Sequence, residues 1–432
     1  MPGRTATSQY SRRDLLRIGG SVAAVGAAAP VLASCSRAPS TSSSGGGSKT
    51  FTMYWNSGHA YDTYNNVVSK FEKDHGVTVN WQKFQWPDLQ TKLQADISAG
   101  TPPDLVEQPG GDTAIPLALT GDLMPLDAHI AKDGAAMGFP GDWQNASVMP
   151  WQHAGNTYGV QIHLTCSQLY YNKKMLAAAG VKPPATWDDL LAVGKKLTSG
   201  HRYAIALNQD PGYSVPWLQQ NGVSEYDDAT KQLLTPHPAT IEALQFQHDL
   251  IYKYKYSPAP VPSSDYSGPQ KLLSAQRAAM IITGPWDILP IRQAGGVDLG
   301  IAPPLMHKER KTILAGSGLI IPAKAKNRDL AWDLIKRLTT LEVELAVTKE
   351  AGQTMPRKSW TTQAPVKGDP LIGAVAQALP SGADWGQKLA ATGKGPQVDD
   401  AYQTLYQSVA ISGKTPQGPM SDFLATADKV VR

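Results

Sequence analysis

Trp55 and Trp286 each stand where a strand-like run of residues ends, in the company of small polar or turn-forming residues. Trp55 closes the run Phe51 to Trp55 and leads into Asn56-Ser57-Gly58-His59, while Trp286 follows the run Ala278 to Thr283 across Gly284-Pro285. An indole face fits the apolar C–H face of a pyranose, and burying on the order of 100 Å² at ~25 cal/mol/Å² contributes about 2.5 kcal/mol. Amides and carboxylates beside the ring then serve the hydroxyls. The chain has 11 Trp against 6 Phe, whereas core building alone favours Phe, so part of the indole set is predicted to face a ligand. Carbohydrate is the ligand class that these residues suggest. Each indole has a competing role in core packing, and Trp187, directly after Thr186, reads as a helix-start staple.

The residue types that carry other chemistries are poorly arranged for it. No two histidines stand at i,i+4, H-E-x-x-H does not occur, and a single body cysteine, Cys166, could not hold a structural metal with a second thiol, so no metal is expected. Neither G-x-S-x-G nor G-x-x-x-x-G-K-[ST] occurs, and Gly413-Lys414-Thr415 lacks the glycine that a phosphate loop needs five residues earlier. The pairs Asp188-Asp189, Asp227-Asp228 and Asp399-Asp400 are adjacent, and adjacent side chains diverge on a helix or strand. They read as helix starts or solvated turns. A glycosidase built from two carboxylates distant in sequence stays open, because that pairing is spatial. The formal charge is +4, and residues 1–34, with Arg4, Arg12, Arg13 and Arg17 against Asp14, carry +3 of it. A nearly neutral body gives no electrostatic ground for a nucleic-acid partner.

The elements that must position these residues alternate. Phe51 to Trp55 reads as a strand, Ala60 to Asp74 as a helix with Tyr64, Val67, Val68 and Phe71 at helical spacing, and Val77 to Trp81 as a strand. Pro87 to Ala99 is a second helix, stopped by Gly100-Thr101-Pro102-Pro103 before the strand Asp104 to Glu107. Further strands are predicted at Tyr158 to Ile162, Gln168 to Tyr171, Ala204 to Leu207, Ala278 to Thr283, Leu299 to Ala302 and Leu319 to Ile321. Helices are predicted after the cap Thr186 and over Ile241 to Tyr252, Gln270 to Ser274 and Asp329 to Thr339. This is an α/β pattern, and the length suits two α/β lobes. In open sheets of this kind a ligand sits outside the carboxyl ends of the strands, where both indoles stand.

The first residues read as an address and an anchor. Ser11-Arg12-Arg13-Asp14-Leu15-Leu16 is a twin-arginine pattern before a mild apolar stretch, and Leu32-Ala33-Ser34-Cys35 resembles a lipobox whose cysteine is acylated. Residues 1–34 are therefore expected to be a signal peptide, and 35–48 a lipidated Cys35 with a flexible Ser/Gly/Thr linker. The chain is expected to be exported and held at the extracytoplasmic face of a bacterial membrane.

Three longer segments carry a resemblance. Phe71-Glu72-Lys73-Asp74-His75-Gly76-Val77, then Leu169-Tyr170-Tyr171-Asn172-Lys173 with Pro184-Ala185-Thr186-Trp187, then Ala279-Met280-Ile281-Ile282-Thr283-Gly284-Pro285-Trp286 resemble the extracellular solute-binding proteins of ABC importers, in the maltose-binding-protein-like carbohydrate family. The resemblance runs from Phe51 to the C-terminus. It implies a periplasmic-binding-protein fold of two lobes, 49–163 with 306–352 and 164–305 with 353–432, joined by crossing segments and closing on a ligand in the cleft.

Matched by position, Trp286 looks like the family's sugar-stacking indole, and Asn56 and His59, beside Trp55, look like its first ligand loop. Gln108 and Asp112 match the loop after the third strand, and Asp210 and Tyr213 the acid and aromatic that precede Trp217. Gly316-Ser317-Gly318 resembles a lobe-crossing loop, and Arg357 matches a position that often faces the cleft. Where maltose binders place a glutamate before Tyr-Asn-Lys, this chain has Thr165 with His163 nearby, which disfavours maltose itself. The resemblance implies a binding protein, not an enzyme, that works without a cofactor as a monomer and hands a sugar to permease subunits. Its rivals are a lipid-anchored saccharide hydrolase and, within the binding class, a glycerophosphodiester binder in which Arg357 holds the phosphate bidentately.

Changing Cys35 to Ala is expected to release the protein into the medium or leave it unprocessed. Detergent partitioning of cell fractions checks this, and unchanged membrane retention would remove the anchor.

Overall fold

The computed structural model describes residues 49–263 and 265–431, so the twin-arginine segment, Cys35 and the linker lie outside the described residues. The first expected βαβ units are present. Strands β1 (Lys49–Asn56), β2 (Val77–Phe84) and β3 (Leu105–Gln108) are parallel, with β1 between the other two, and helices Asp62–His75 and Trp86–Ser98 connect them. The first helix turns Tyr64, Val68 and Phe71 into the core and ends at Gly76, whose φ of 59° lets its N–H close on Glu72 O. β4 (Gly159–Cys166) is buried along its whole length.

A second sheet follows at once. β5 (Gln168–Asn172) is antiparallel to both β7 (Ala278–Thr283) and β8 (Leu299–Ala302), and β7 is parallel to β6 (Tyr203–Ala206), giving the order β8-β5-β7-β6. Its helix Trp187–Leu197 starts with a full capping box between Thr186 and Asp189. The chain then returns to the first sheet as β9 (Thr312–Ile320), antiparallel to both β3 and β4, with the short β10 (Gly382–Ala383) beside its start.

Each sheet has its own apolar core. Phe51, Phe71, Trp143, Trp332 and Trp360 lie in the first, and Trp187, Leu190, Trp217, Leu244 and Tyr406 in the second. The two cores divide the chain differently from the boundaries at 306 and 353. Met306 still bridges Thr186 of the second half, so the return crossing begins at Thr312, and Met355, Trp360, Val366 and Ile372 pack into the first core. Leu389 to Ala427 supply the second core through helices Gly395–Ala410 and Gln417–Val431. Apolar spacing shows that a helix buries one face; it carries no information about which of two cores receives it. No helix among the described residues is long and apolar enough to cross a membrane.

Trp217 belongs to this second core and not to a ligand surface. It is 1% exposed, with ring centroids 5.7 Å from Trp187 and 5.6 Å from Phe246. Trp217→Ala is expected to cost about 3–5 kcal/mol of folding stability in urea unfolding. A loss below about 1 kcal/mol would contradict the packing.

Candidate functional site

The carboxyl ends of β1, β3, β6 and β7 all open on one cavity of about 180 Å³, which residues from both halves line. His59, Trp86, Pro109, His163 and Thr165 come from the first half, Asp210, Tyr213, Tyr266 and Trp286 from the second. Ile313, Ala315 and Gly316 of the crossing strand form the floor between them.

On the first side, a tight turn and a buried carboxylate fix His59. Asn56 caps the turn Ser57–His59 by accepting the Gly58 N–H at 2.8 Å, and the Trp55 indole N–H donates to His59 O at 3.0 Å. His59 Nδ1 lies 2.6 Å from Glu107 Oε1, while Glu107 Oε2 accepts the Asn56 N–H at 2.8 Å. Glu107 is fully buried at the end of β3, so this pairing replaces the hydration that the carboxylate gives up. The His163 ring stands 4.7 Å from that of His59, with Nδ1 2.9 Å from Ser317 Oγ and Nε2 3.0 Å from Tyr64 Oη.

His59, Glu107 and His163 bring three ligand-type atoms within 4.8 Å of one another, a grouping that spacing in the sequence does not reveal. Both nitrogens of His163 and both oxygens of Glu107 are already engaged by protein partners. The donor set therefore fits a polar wall better than a metal site. His163 sits beside the crossing strand because Gly316 has no side chain: its φ is 151°, and a Cβ there would lie 1.9 Å from His163 O.

On the second side, Asp210 caps the turn Pro211–Tyr213 by accepting the Gly212 N–H at 2.8 Å, and burial raises its pKa. Tyr213 stands edge-on to Trp286, with centroids 6.4 Å apart and planes at 86°. The indole of Trp286 lies back over Gly284, where an added Cβ would come within 2.3 Å of the ring, so the turn Gly284-Pro285 sets its direction. Tyr266 completes this side from the segment between Ser257 and Gly268, which has no periodic signal in the sequence.

Of the residues expected at the site, His59, His163, Thr165, Asp210, Tyr213, Trp286 and Gly316 line the cavity. Asn56 and Ser317 stand directly behind it, holding His59 and His163. Four others are elsewhere. Trp55 is fully buried, packed edge-on to Tyr64 and Trp81, and supports the His59 turn from below. Gln108 is buried with its Oε1 accepting from Gln90, and Trp217 is core. Arg357 is 7% exposed, donates to Thr339 O at 2.6 Å and Asp142 Oδ2 at 3.0 Å, pairs with Glu344 and stacks over Trp143. A buried guanidinium needs such partners, and they hold it away from the cavity. Asp112 lines an adjoining chamber. Trp86, Tyr266 and Gln353 were not singled out from the sequence. Trp86 alone carried a signal, as another indole at the start of a helix.

Two α/β halves with loops at the carboxyl ends of their strands meeting over one cavity define a ligand-capturing protein of the two-lobed type. The chain belongs to the bacterial extracellular solute-binding proteins, whose family profile matches residues 66–374. It is 29% identical over 304 residues to the maltotriose-binding protein of Pyrococcus abyssi, an alignment spanning 68% of this chain and 64% of that relative. It is 25% identical to the diacetylchitobiose binding protein of Streptomyces coelicolor, over 77% of this chain and 79% of the relative. Among solved structures, a solute-binding protein of Thermotoga lettingae bound with α-D-tagatose superposes with a TM-score of 0.77 at 25% identity, covering 89% of this chain and 100% of that one. A maltose/maltodextrin-binding domain of Bdellovibrio bacteriovorus bound to maltotriose gives 0.77 at 24%, with the same coverage, and shows the shared fold.

Burial, then the neighbouring His59, holds His163 well below its ordinary pKa of 6.5, so the folded protein keeps this ring neutral. Below that pH the unfolded chain binds the extra proton, so the residue's contribution to stability is complete above it and lost as pH falls. His163→Gln is therefore expected to lose less stability than the parent chain between about pH 7 and pH 5. Urea unfolding at both values checks this, and equal losses would count against a neutral His163.

Proposed function

We propose that this chain is the substrate-capturing component of an ABC importer, binding a sugar or oligosaccharide between its lobes and delivering it to a membrane permease. The observation that carries the reading is the cavity itself. Trp286 and Tyr213 on one half and the polar side chains of His59 and Thr165 on the other line the same cavity, so a ligand that fills it touches both. The Trp286 indole supplies the face for a pyranose ring, while Asp210, Thr165 and the His59 imidazole supply partners for its hydroxyls. The relatives that bind maltotriose and diacetylchitobiose agree with this ligand class.

Binding then draws the halves together, and the closed form is what a permease reads. Moving an open-to-closed equilibrium from 1:99 to 99:1 takes about 5.5 kcal/mol of differential affinity, within reach of one stacked indole and several hydrogen bonds made fully only on closure. The protein does this without catalysis. Asp210 is the single carboxylate lining the cavity among the described residues, whereas a glycosidase of the usual kind needs two flanking the bond. The phosphodiester reading loses its cation, since Arg357 is committed to Thr339, Asp142 and Glu344. Export with lipid attachment at Cys35 completes the proposal and rests on the twin-arginine and lipobox segments alone.

A thermal-shift screen across sugars, followed by solution scattering with the best binder at saturation, tests this. A smaller radius of gyration with ligand and no product over hours is expected; cleavage, or tight binding without compaction, would favour the hydrolase. With the same ligand, Trp286→Ala is expected to weaken binding by ~2 kcal/mol, about thirtyfold, at nearly unchanged melting temperature. Unchanged affinity in calorimetric titration would refute the stacking role.

A further inference from the structure

The nearly neutral body carries its charge unevenly. Residues 190–209, 250–264 and 266–286 hold no Asp or Glu, yet the first run carries Lys195, Lys196 and Arg202, the second Lys253 and Lys255, and the third Lys271 and Arg277. All of these side chains are exposed. The fold gathers them on one surface. β6 and β7 open their carboxyl ends on the cleft, whereas Arg202 and Arg277 directly precede their first residues, with the Tyr203 N–H donating to Arg277 O at 2.8 Å. Lys195 and Lys196 close the helix Trp187–Leu197, Lys253 follows the helix His237–Tyr252, and Lys271 lies in the last turn of Gly268–Ser274, just before β7. The set thus stands at the amino ends of the strands, at the pole of the second half remote from the sugar cavity.

Two carboxylates pair with this set, Asp249 at 3.3 Å from Lys253 and Asp265 at 2.6 Å from Lys271, and its other cations have no carboxylate partner among the described residues. A helix carboxyl end favours a cation or two. The unpaired cations at this one pole exceed that need and leave a surface that attracts anions. Aromatic and apolar groups stand among them. Tyr254 and Tyr256 stack at 5.4 Å, and Lys253 lies over the Tyr254 ring. Tyr256 packs against Gly194, next to Lys195, and its carbonyl accepts the Ile205 N–H of the edge strand β6. Along the same edge Pro258, Val261, Lys271 and Arg277 line one hollow of about 350 Å³, and Val261 is 76% exposed, the most of any large apolar side chain among the described residues. Lysine stems, tyrosine rings and an exposed apolar residue together suit a headgroup boundary, with the charges in water and the apolar parts just below. An acidic protein surface would use the cations and leave Val261 in water. Acylated Cys35, 14 positions before Lys49, holds the body within about 50 Å of the lipid.

We propose that this pole is a membrane-contact surface that lays the second half against anionic lipid headgroups, with Arg202, Lys255 and Arg277 on the phosphates and Val261 at the boundary. Contact there covers none of the residues that line the sugar cavity, so lipid and sugar do not compete. The inference rests on the export and anchoring reading, which supplies the membrane, and not on the identity of the sugar.

Flotation of the Cys35→Ala chain, which has no acyl group to insert, with vesicles of phosphatidylcholine alone or with about 30% phosphatidylglycerol tests it. Binding to the anionic vesicles is expected to be at least tenfold tighter than to the neutral ones, and to weaken at least fivefold as salt rises from about 50 to about 300 mM. Each Lys or Arg near an anionic leaflet contributes about a factor of five, so Arg202→Gln, Lys255→Gln and Arg277→Gln together are expected to lose tenfold or more. Val261→Ser alone is expected to lose about threefold. Lys324→Gln, Lys326→Gln and Arg328→Gln make the same charge change at exposed positions of the first half and are expected to stay within about twofold. Equal binding to both kinds of vesicle, or equal loss in the two triple variants, would overturn the lipid surface. Soluble polyglutamate bound as tightly as the anionic vesicles would also overturn it, in favour of an acidic protein partner. The substituted side chains are exposed and line no part of the sugar cavity, so melting temperature and sugar affinity are expected to stay unchanged. Membrane fractionation of the parent chain tests the anchor separately, so the failure of either result leaves the other standing.

Discussion

The antiparallel pairing of β4 with β9 is the constraint on which the rest of the protein depends. It runs from Gly159 opposite Ile320 to Cys166 opposite Leu314, with a register irregularity between Ser317 and Gly318. Both strands lie at passages between the two halves: β4 leads directly into the second sheet and β9 returns from it. Their register therefore sets where His163 and Thr165 stand relative to Ala315 and Gly316, and so sets the floor of the cleft. Because side chains alternate along a strand, a one-residue slip would turn His163 away and replace it with Ile162 or Leu164.

The polar wall of the cleft shows how such a floor is kept rigid. His59, Glu107 and Asn56 form one set of short hydrogen bonds and His163, Ser317 and Tyr64 another; the two sets meet where the His59 and His163 rings touch, and every member is buried. A buried network of this kind is stable only when its members satisfy one another, and that leaves few orientations for either imidazole. The opposite wall is different in kind, made of aromatic rings and a capping aspartate. A ligand between them meets directional donors and acceptors on one side and broad apolar faces on the other. That division suits a molecule with both a C–H face and a rim of hydroxyls.

Much of this was legible from the chain. Alternation of period two and period 3.6 marked most strands of both sheets, though not how they pair, and the helix that starts at the Thr186 cap is where the capping residues put it. The turn Gly284-Pro285 before an indole marked Trp286 as something other than core, and the polar run after Trp55 marked His59. The same reasoning misassigned Trp55, Gln108, Trp217 and Arg357, each for one reason. A residue at the end of a strand or in a matching motif can point toward the cleft or away from it, and only its packing partners decide. Trp55 turns under the loop to hold it, and Arg357 finds a carbonyl and two carboxylates, those of Thr339, Glu344 and the distant Asp142.

What the sequence determined by itself was local: which segments are strands and helices, where they are capped, and that the body lacks the short motifs of nucleotide or metal chemistry. Those properties depend on neighbours within a few residues, so composition and spacing contain them. The tertiary structure alone decided which core each helix after Thr339 joins, that Glu107 sits between Asn56 and His59, and that Asp112 and Trp385 line one chamber. Such meetings join residues tens to hundreds of positions apart. Nothing in a single chain's local pattern encodes them, because the free energy that selects them comes from burying two distant surfaces against each other.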